Sequence, residues 1–283
     1  MKNRTFKKSA ILLLGIALLA ALSVWLFQAY GGSHEKRNMD GLVGWWPGDG
    51  DAKDVVTGTS GILENNAGFA PGVSGKAFNF VPPGIPKVHS FTLWGYGFQF
   101  GSLGASGRFS NPMHIRIPDR PEFHLTNAIT LLAWVYPTSR GMYMNIISKW
   151  SAVNVRPLQE SYGLAIFPDG RVYIVINRDG GDGAPNVNPL SKTILPLNTW
   201  TQVVGTYDGV SVNVYVNGKL ETSEPYTAGI YPGNYEIGIG GTVGSAAPGM
   251  CFAPFYGRID DVCIYNRAMA AAEIQADYDA QKK

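Results

Sequence analysis

The last third of the chain alternates apolar and polar residues, and this pattern limits the fold more than any other feature of the sequence. Segment 212–216 reads VNVYV, with Asp208-Gly209 before it and Asn217-Gly218 after it. Alternation directs one row of side chains into a core and the other row outward. Asp-Gly and Asn-Gly pairs accept the positive φ angles that a two-residue hairpin loop needs. The sequence therefore predicts an all-β fold of antiparallel strands.

The same reading extends over the rest of the chain. Strands are predicted over residues 42–46, 76–81, 113–117, 129–136, 145–150, 162–167, 172–177, 200–207, 212–216, 219–222, 235–239 and 259–265. Their close spacing and hairpin turns are typical of a two-sheet sandwich. One short helix is predicted over residues 270–280. A helix of that length is marginal by itself, so we expect it to pack against the edge of the sandwich.

The charge of the chain is unevenly distributed. The net charge is +2, but the first 33 residues contain four basic side chains and no acidic ones. The remaining residues carry 19 basic and 21 acidic side chains, a net charge of −2. Nucleic-acid binding requires a basic patch or stripe, and no basic cluster is found there. A nucleic-acid partner is therefore excluded.

The N-terminal region contains an uncharged run from Ala10 to Tyr30. A helix of this length crosses a hydrocarbon core of ~30 Å, and the preceding basic residues orient the rest of the chain outside the cytoplasm. Residues 1–33 are thus a membrane anchor or a signal peptide, and residues 34–41 a linker. The run is longer than a usual signal core, whereas Ala29 and Gly31 fit a cleavage site. Two locations stay open, namely a membrane-anchored one and a secreted or periplasmic one.

The two cysteines, Cys251 and Cys263, stand close together in the sequence. Outside the cytoplasm a disulfide between them is permitted, and we predict this bond. The alternative is two unpaired thiols.

Several motifs, taken in order, point to one family. They are Gly44-Trp-Trp-Pro-Gly-Asp-Gly50, the segment 200–218 and the segment 255–269 with its GRIDDV run. Residues 42–283 resemble a laminin-G-like, concanavalin A-like lectin/glucanase domain of the bacterial secreted branch. The resemblance implies a jelly-roll sandwich whose ligand is a carbohydrate. Two departures are Cys263, where the family usually has arginine, and an insertion near residues 82–112.

The resemblance also implies a structural Ca²⁺ ion near the first and last strands, with Asp54 and Asp260 as ligands. Calcium needs six to eight oxygens, so backbone carbonyls would complete the shell. Alternation places Asp260 on the core-facing side of its strand together with Val262, where a carboxylate needs a partner. The alternative partner is a set of backbone amides from a neighbouring loop. Asp261 is expected to point into solvent.

The insertion contains the most unusual pattern of aromatic residues. Trp94, Tyr96, Phe98 and Phe100 alternate with small or polar residues, which would line one face of a strand with four rings. Such rings can stack on the apolar faces of sugars, so we predict them as ligand-binding residues. The alternative is that they cover the sandwich.

Catalytic patterns are absent from the sequence. No glutamate begins the E-x-D-x-x-E run of the related glucanases, and no histidine has the H-E-x-x-H spacing of a zinc site. The leading hypothesis is a non-catalytic, extracytoplasmic carbohydrate-binding module. A module that binds an envelope or extracellular protein is the second hypothesis. A glycan-active enzyme is the third, and it would need two carboxylates about 5–9.5 Å apart.

Overall fold

The structure, a computed structural model, describes residues 37–81, 113–151, 159–181, 186–243 and 251–282. Asn38–Lys283 form one compact unit. The uncharged run 10–30 and the insertion 82–112 lie outside the described residues, so their predicted structures remain predictions. Within the part of the chain that is described, no helix is long and apolar enough to cross a membrane.

Eight of the described strands form the first sheet. They are β1 Leu42–Trp46, β3 Gly68–Pro71, β4 Lys76–Asn79, β6 Ile129–Pro137, β12 Thr201–Tyr207, β13 Ser211–Val216, β14 Lys219–Pro225 and β18 Gly257–Tyr265. Their order is β14-β13-β12-β6-β18-β4-β3, and β1 also pairs with β18. The first and last strands of the domain are therefore neighbours, and all pairs are antiparallel.

Eight further described strands form the second sheet. They are β2 Ile62–Glu64, β5 His114–Ile117, β7 Met144–Trp150, β8 Glu160–Ile166, β9 Arg171–Gly180, β10 Asn186–Val187, β11 Leu190–Ile194 and β15 Ile237–Ile239. Their order is β10-β9-β8-β7-β15-β5-β2, with β11 also on β9. Two short strands, β16 Thr242–Val243 and β17 Cys251–Phe252, pair as a separate ribbon.

The main hydrophobic core lies between the two sheets, as the alternation predicts. On β6 every second residue from Ile129 to Val135 belongs to this core, whereas Leu132 belongs to a smaller cluster on the outer face. The sheets approach closely at Gly205 of β12, where an added Cβ would lie 2.7 Å from the Cβ of Ile174 on β9. Glycine is required at this position because any side chain would push into the opposite sheet.

The predicted hairpins are confirmed. Asn217 and Gly218 both have positive φ, at 50° and 78°, and they join β13 to β14. The Asp208 carboxylate accepts hydrogen bonds from the backbone N–H groups of Val210 and Ser211, at 2.9 and 2.7 Å. These bonds close the turn between β12 and β13. The predicted strand segments all contain observed strands, with ends that coincide or differ by up to three residues.

The last strand contains a β-bulge that the sequence reading missed. The pairing of β18 with β6 shifts between Asp260 and Cys263, and Asp261 has a positive φ of 52°. The extra residue reverses the alternation, so that Ile259, Val262 and Ile264 all reach the core. Asp260 lies opposite Trp134, on the outer face of the sheet. The prediction that Asp260 shares the core-facing side with Val262 is therefore wrong.

The C-terminal helix, α1 Ala271–Gln281, is confirmed, and it contacts the edge strand β14, as predicted, while it also extends over the sheet. Its Ile274 joins the cluster on the outer face of the first sheet. Near its end, Tyr278 stacks on Trp134 of the central strand β6, with ring centres 5.7 Å apart. Gln281 accepts a 2.9 Å hydrogen bond from the Trp134 indole. The helix therefore covers part of the outer face of the sheet.

Candidate functional site

The outer face of the second sheet carries a row of small residues across its centre. By strand register, Gly238, Ser148 and Gly163 stand side by side, with Arg116 on one flank and Val175 on the other. All three residues are buried, and the Ser148 hydroxyl donates to the Gly241 carbonyl at 3.3 Å. Above Gly238, the ribbon approaches so closely that an added Cβ would lie 2.0 Å from the carbonyl oxygen of Gly241. The row is thus a floor that is partly roofed by the segment leading into β16.

Three aromatic rings lie beside this floor. Tyr143 precedes β7, Phe167 follows β8 and Tyr173 belongs to β9. Their rings meet edge to face, with centres 5.1 Å apart for Tyr143 and Phe167 and 6.3 Å apart for Phe167 and Tyr173. Burial raises the pKa of the Tyr173 phenol above its usual value. Tyr143 remains 49% exposed, so a ligand can reach its face. We call these three residues the ring trio.

The opposite flank of the floor is charged. The Arg116 guanidinium donates to Glu64 at 3.1 Å and to Glu236 at 2.9 Å. These two carboxylates raise the pKa of Arg116, so its charge is fixed. Each glutamate is in turn held by a cation, which disfavours its use as a free base or nucleophile. The flank can donate and accept hydrogen bonds, as a polyhydroxylated ligand requires.

A buried lysine of the second sheet holds the segment that follows β5. Lys149 of β7 is 0% exposed, and its ammonium contacts the Asp119 carboxylate and the Tyr235 carbonyl. The other Asp119 oxygen lies 2.8 Å from His124 Nε2. Burial lowers the pKa of Lys149. Sequence analysis did not find this cluster, because its members are far apart in the chain.

The structure gives Asp54 a complete set of protein partners. One carboxylate oxygen accepts the backbone N–H groups of Trp45 and Val56, at 2.9 and 3.0 Å. The other accepts the Thr57 hydroxyl at 2.7 Å and the Arg120 guanidinium at 2.8 Å. A calcium ion at Asp54 would have to replace this guanidinium. The residues around Asp54 therefore fit a cation that the protein itself supplies.

Asp260 and Asp261 are both buried, and the expectation that Asp261 points into solvent is wrong. Asp260 accepts the backbone N–H groups of Val73 and Ser74, at 2.8 and 3.4 Å, which is the loop alternative considered above. Asp261 accepts the Trp45 indole at 2.9 Å. Burial, together with the neighbouring Asp261 carboxylate, raises the pKa of Asp260 to about 8. Trp45 therefore donates to Asp54 through its backbone N–H and to Asp261 through its indole, whereas Asp260 has separate partners.

Among the described residues, no group of three or more acidic, histidine or cysteine side chains is placed to hold a metal ion. The two predicted calcium ligands differ in their charge partners. Asp54 is neutralised by Arg120, whereas Asp260 has no cation within the described contacts. Calcium at Asp260 stays a prediction, and backbone oxygens would have to supply most of its shell.

The remaining predicted residues are only partly described. Trp94, Tyr96, Phe98 and Phe100 lie outside the described residues, so their role as ligand-binding residues stays a prediction. Cys263 is buried in the outer cluster of the first sheet. The side chain of Cys251 is not among those described, and no disulfide is found among the described side chains. The bond between them stays a prediction.

The sequence of the chain matches a laminin-G family described as the concanavalin A-like lectin/glucanases superfamily, over residues 109–275. The chain belongs to this superfamily. The matched region contains the second sheet's floor, the ring trio and most of the first sheet. No curated protein sequence matches the chain.

Solved structures share the fold of this laminin-G-like domain at low sequence identity. Domain 4 of AbnA, an extracellular arabinanase of Geobacillus stearothermophilus in complex with arabinotriose, is 18% identical with a TM-score of 0.57. That match covers 86% of this chain and 98% of the other. The binding domain of Paraclostridial Mosquitocidal Protein 1 is 13% identical with a TM-score of 0.55, over 84% of this chain and 52% of that one.

A third structure, the binding domain of botulinum neurotoxin DC in complex with rat synaptotagmin II, is 11% identical with a TM-score of 0.54. The match covers 85% of this chain and 52% of the other, so the laminin-G-like domain spans about half of each of these two toxin domains. At these identities the likeness concerns the fold.

The sequence contained a signal for the ring trio. Tyr173 alternates with Val172 and Ile174, which marks it as an outward ring on a predicted strand. Tyr143 stands before the predicted strand 145–150, and Phe167 is the last residue of the predicted strand 162–167, whose mostly apolar residues give no clear orientation. Only the register of β7, β8 and β9 brings the three rings together.

Proposed function

We propose that this laminin-G-like domain is a non-catalytic binding module whose ligand is a carbohydrate, held on the outer face of the second sheet. The observation that carries the proposal is the ring trio beside a floor of small residues. Aromatic rings offer flat apolar faces on which sugar rings can stack, and Tyr143 is half exposed beside this buried floor. The Arg116 flank supplies polar groups that can fix its orientation.

The comparisons support carbohydrate as the ligand class only through the shared fold and family. The arabinanase domain with the same fold is described in complex with arabinotriose, and the family includes lectins. We propose a neutral oligosaccharide as the ligand of the second sheet, since Arg116 is already paired with Glu64 and Glu236 and offers no free charge to an anion. If Trp94, Tyr96, Phe98 and Phe100 form the predicted strand, they would add a second set of rings.

The non-catalytic part of the proposal rests on how the carboxylates near the site are held. Glu64 and Glu236 both bind Arg116, and Asp119 binds Lys149. A glycosidase needs one acid with a raised pKa and one free base or nucleophile. Ion-paired carboxylates suit neither task.

We further propose that the domain works outside the cytoplasm. The uncharged run 10–30, with basic residues before it, would serve as a membrane anchor or as a cleaved signal peptide. Cell fractionation of an epitope-tagged chain would test this point. Recovery of the tag in the cytoplasmic fraction would contradict it.

The ligand proposal is tested on a glycan array with the full chain and two variants. Tyr143→Ala removes an exposed ring of the trio and is expected to weaken glycan binding at least tenfold. Val210→Ala, at the turn between β12 and β13, is the matched control because Val210 is 65% exposed and remote from the trio. Absence of binding to any glycan would contradict the proposal.

The second candidate function is binding of a protein. It is favoured by the toxin domain that is described in complex with synaptotagmin II, which has the same fold. A pull-down from envelope extracts, in which Tyr143→Ala loses a protein partner while the glycan array stays blank, would favour this alternative.

A further inference from the structure

The outer face of the first sheet, on the opposite side of the sandwich, carries its own set of planar side chains. Arg258 of β18 stands between Asn79 of β4 and Tyr136 of β6 in the strand register. Their chain neighbours Phe78, Ile259 and Val135 belong to the core, so these three side chains point outward. Trp200, just before β12, completes the set. We call these four residues the ring–guanidinium row.

The row is ordered by contacts between its members. The Arg258 guanidinium lies over the Tyr136 ring, with Cζ 4.9 Å from the ring centre. The Tyr136 and Trp200 ring centres are 5.4 Å apart, at an angle of 55°. One guanidinium nitrogen of Arg258 also donates to the Pro71 carbonyl at 3.1 Å. These contacts fix the guanidinium without neutralising it.

Arg258 differs from most arginines of the domain, and in the described contacts Arg140 likewise binds a carbonyl without a carboxylate. Arg116, Arg120, Arg171, Arg178 and Arg267 each form an ion pair with a carboxylate. In the described ranges, Arg258 has no such pair. The Asn79 amide and the Trp200 indole N–H likewise form no hydrogen bond with the residues that are described. The row therefore combines an unbalanced positive charge with unused donors and two rings.

The row also differs from the parts of the same sheet around it. Farther along β6, Trp134 is covered by Tyr278 of helix α1. The edge strand β14 is exposed, and it reads KLETSEP, the mixture of small and charged residues that is typical of a solvated strand. The row, in contrast, is partly accessible, since Tyr136, Trp200 and Arg258 are each half-buried.

We propose that the ring–guanidinium row is a second binding site, and that its ligand is an acidic saccharide. A guanidinium binds a carboxylate through two parallel hydrogen bonds, and an unpaired one favours an anionic partner. The two rings would contact the apolar faces of the sugar. Asn79 and the Trp200 indole would bind its hydroxyl groups. The row crosses three strand spacings, about 14 Å, which suits a short oligosaccharide.

The test measures binding of trigalacturonate to the full chain by titration calorimetry. Arg258→Gln removes the charge, and Trp200→Ala removes a ring. Each is expected to weaken binding at least tenfold. Arg178→Gln is the matched control, because Arg178 is an exposed arginine of the second sheet that is already paired with Asp179. Methyl-esterified trigalacturonate keeps the sugar rings without the charge, and it is expected to bind at least tenfold more weakly.

Three results would overturn the proposal. The first is absence of trigalacturonate binding by the wild-type chain. The second is equal binding by wild type and Arg258→Gln, whose fold is checked by thermal melting. The third is equal binding of poly-glutamate, which has the charge without the rings. Because this site lies on the opposite sheet, Tyr143→Ala is expected to leave trigalacturonate binding unchanged, and the two proposals can fail separately.

Discussion

Arg120 donates to Asp54 at 2.8 Å across 66 residues of sequence, and this ion pair joins the segment after β1 to the segment after β5. The Asp54 side chain is 1% exposed and the Arg120 side chain 14%. Both charges are therefore removed from water and depend on each other. Arg120 also lies over the Phe123 ring, with Cζ 4.4 Å from its centre.

Asp54→Ala is expected to lower the free energy of unfolding by about 3–5 kcal/mol, because it leaves the buried Arg120 without a counter-charge. Urea denaturation measures this loss. In the double variant Asp54→Ala/Arg120→Ala the loss should be clearly smaller than the sum of the two single losses. Additive losses would mean that the two side chains do not stabilise each other.

The stability of the domain is expected to fall as pH rises from about 4 to about 8. The pKa of Asp260 is 3.8 in its ordinary state and about 8 in the folded domain, so the folded state binds a proton that the unfolded state releases in this range. Asp260→Asn mimics the protonated form and should remove this contribution. At pH 8 the variant should be more stable by on the order of a few kcal/mol, and near pH 4 about equal to wild type. Parallel urea profiles of both proteins across this range would contradict the assignment.

Calcium, if it binds at Asp260 as the family resemblance implies, should raise the melting temperature of the full chain. An ion that binds only the folded state adds about 2.7 kcal/mol when present at 100 times its Kd. EDTA should reverse the gain, Mg²⁺ should not reproduce it, and Asp260→Asn should abolish it. Melting that is insensitive to calcium and to chelator would remove calcium from the account of this fold.

Gly205→Ala is expected to lower the free energy of unfolding by about 1–3 kcal/mol, because its methyl group would collide with Ile174 across the core. Gly181→Ala is the matched control, since no described atom lies within 4 Å of a Cβ placed there. Thermal melting of both variants gives the comparison. A Gly205→Ala chain as stable as the control would show that the sheets can move apart at little cost.

The strands with clear alternation could be predicted from the sequence. Segments such as 212–216 alternate because one face of the strand packs on the core. The Asp-Gly and Asn-Gly pairs beside this strand favour hairpin turns, because these residue types accept positive φ angles. The strands that were missed, such as the mostly half-buried Gly68–Pro71 and the mostly exposed Leu190–Ile194, are short. Their pairing partners, and not their own composition, make them strands.

The orientation of Asp260 and Asp261 could not be predicted, because one inserted residue reverses the alternation beyond it. Nothing in the run IDDVCIY marks the position of the bulge. The pairing with β6 determines it, together with the Trp45 indole that binds Asp261. The contact of helix α1 with Trp134 was not predicted for a similar reason, since it is visible only once β6 lies at the centre of its sheet.

The candidate site was predicted less well than the fold. The aromatic residues that the sequence singled out lie in 82–112, outside the described residues, whereas the ring trio and the ring–guanidinium row are assembled from distant segments. Tyr136 and Arg258 are 122 positions apart and meet only through the register of β6 and β18. The spacing of residues along the chain does not predict such pairs.

The two ends of the domain are tied to each other by more than the pairing of β1 with β18. Asn38 donates to Glu273 at 2.8 Å, and the Tyr265 hydroxyl donates to the Asn38 carbonyl at 3.1 Å. A domain whose first and last strands are neighbours can be closed by a linker and opened at an exposed turn. The turn at Gly209 is such a place, so the order in which the strands are synthesised can be rearranged while the sandwich they build stays the same.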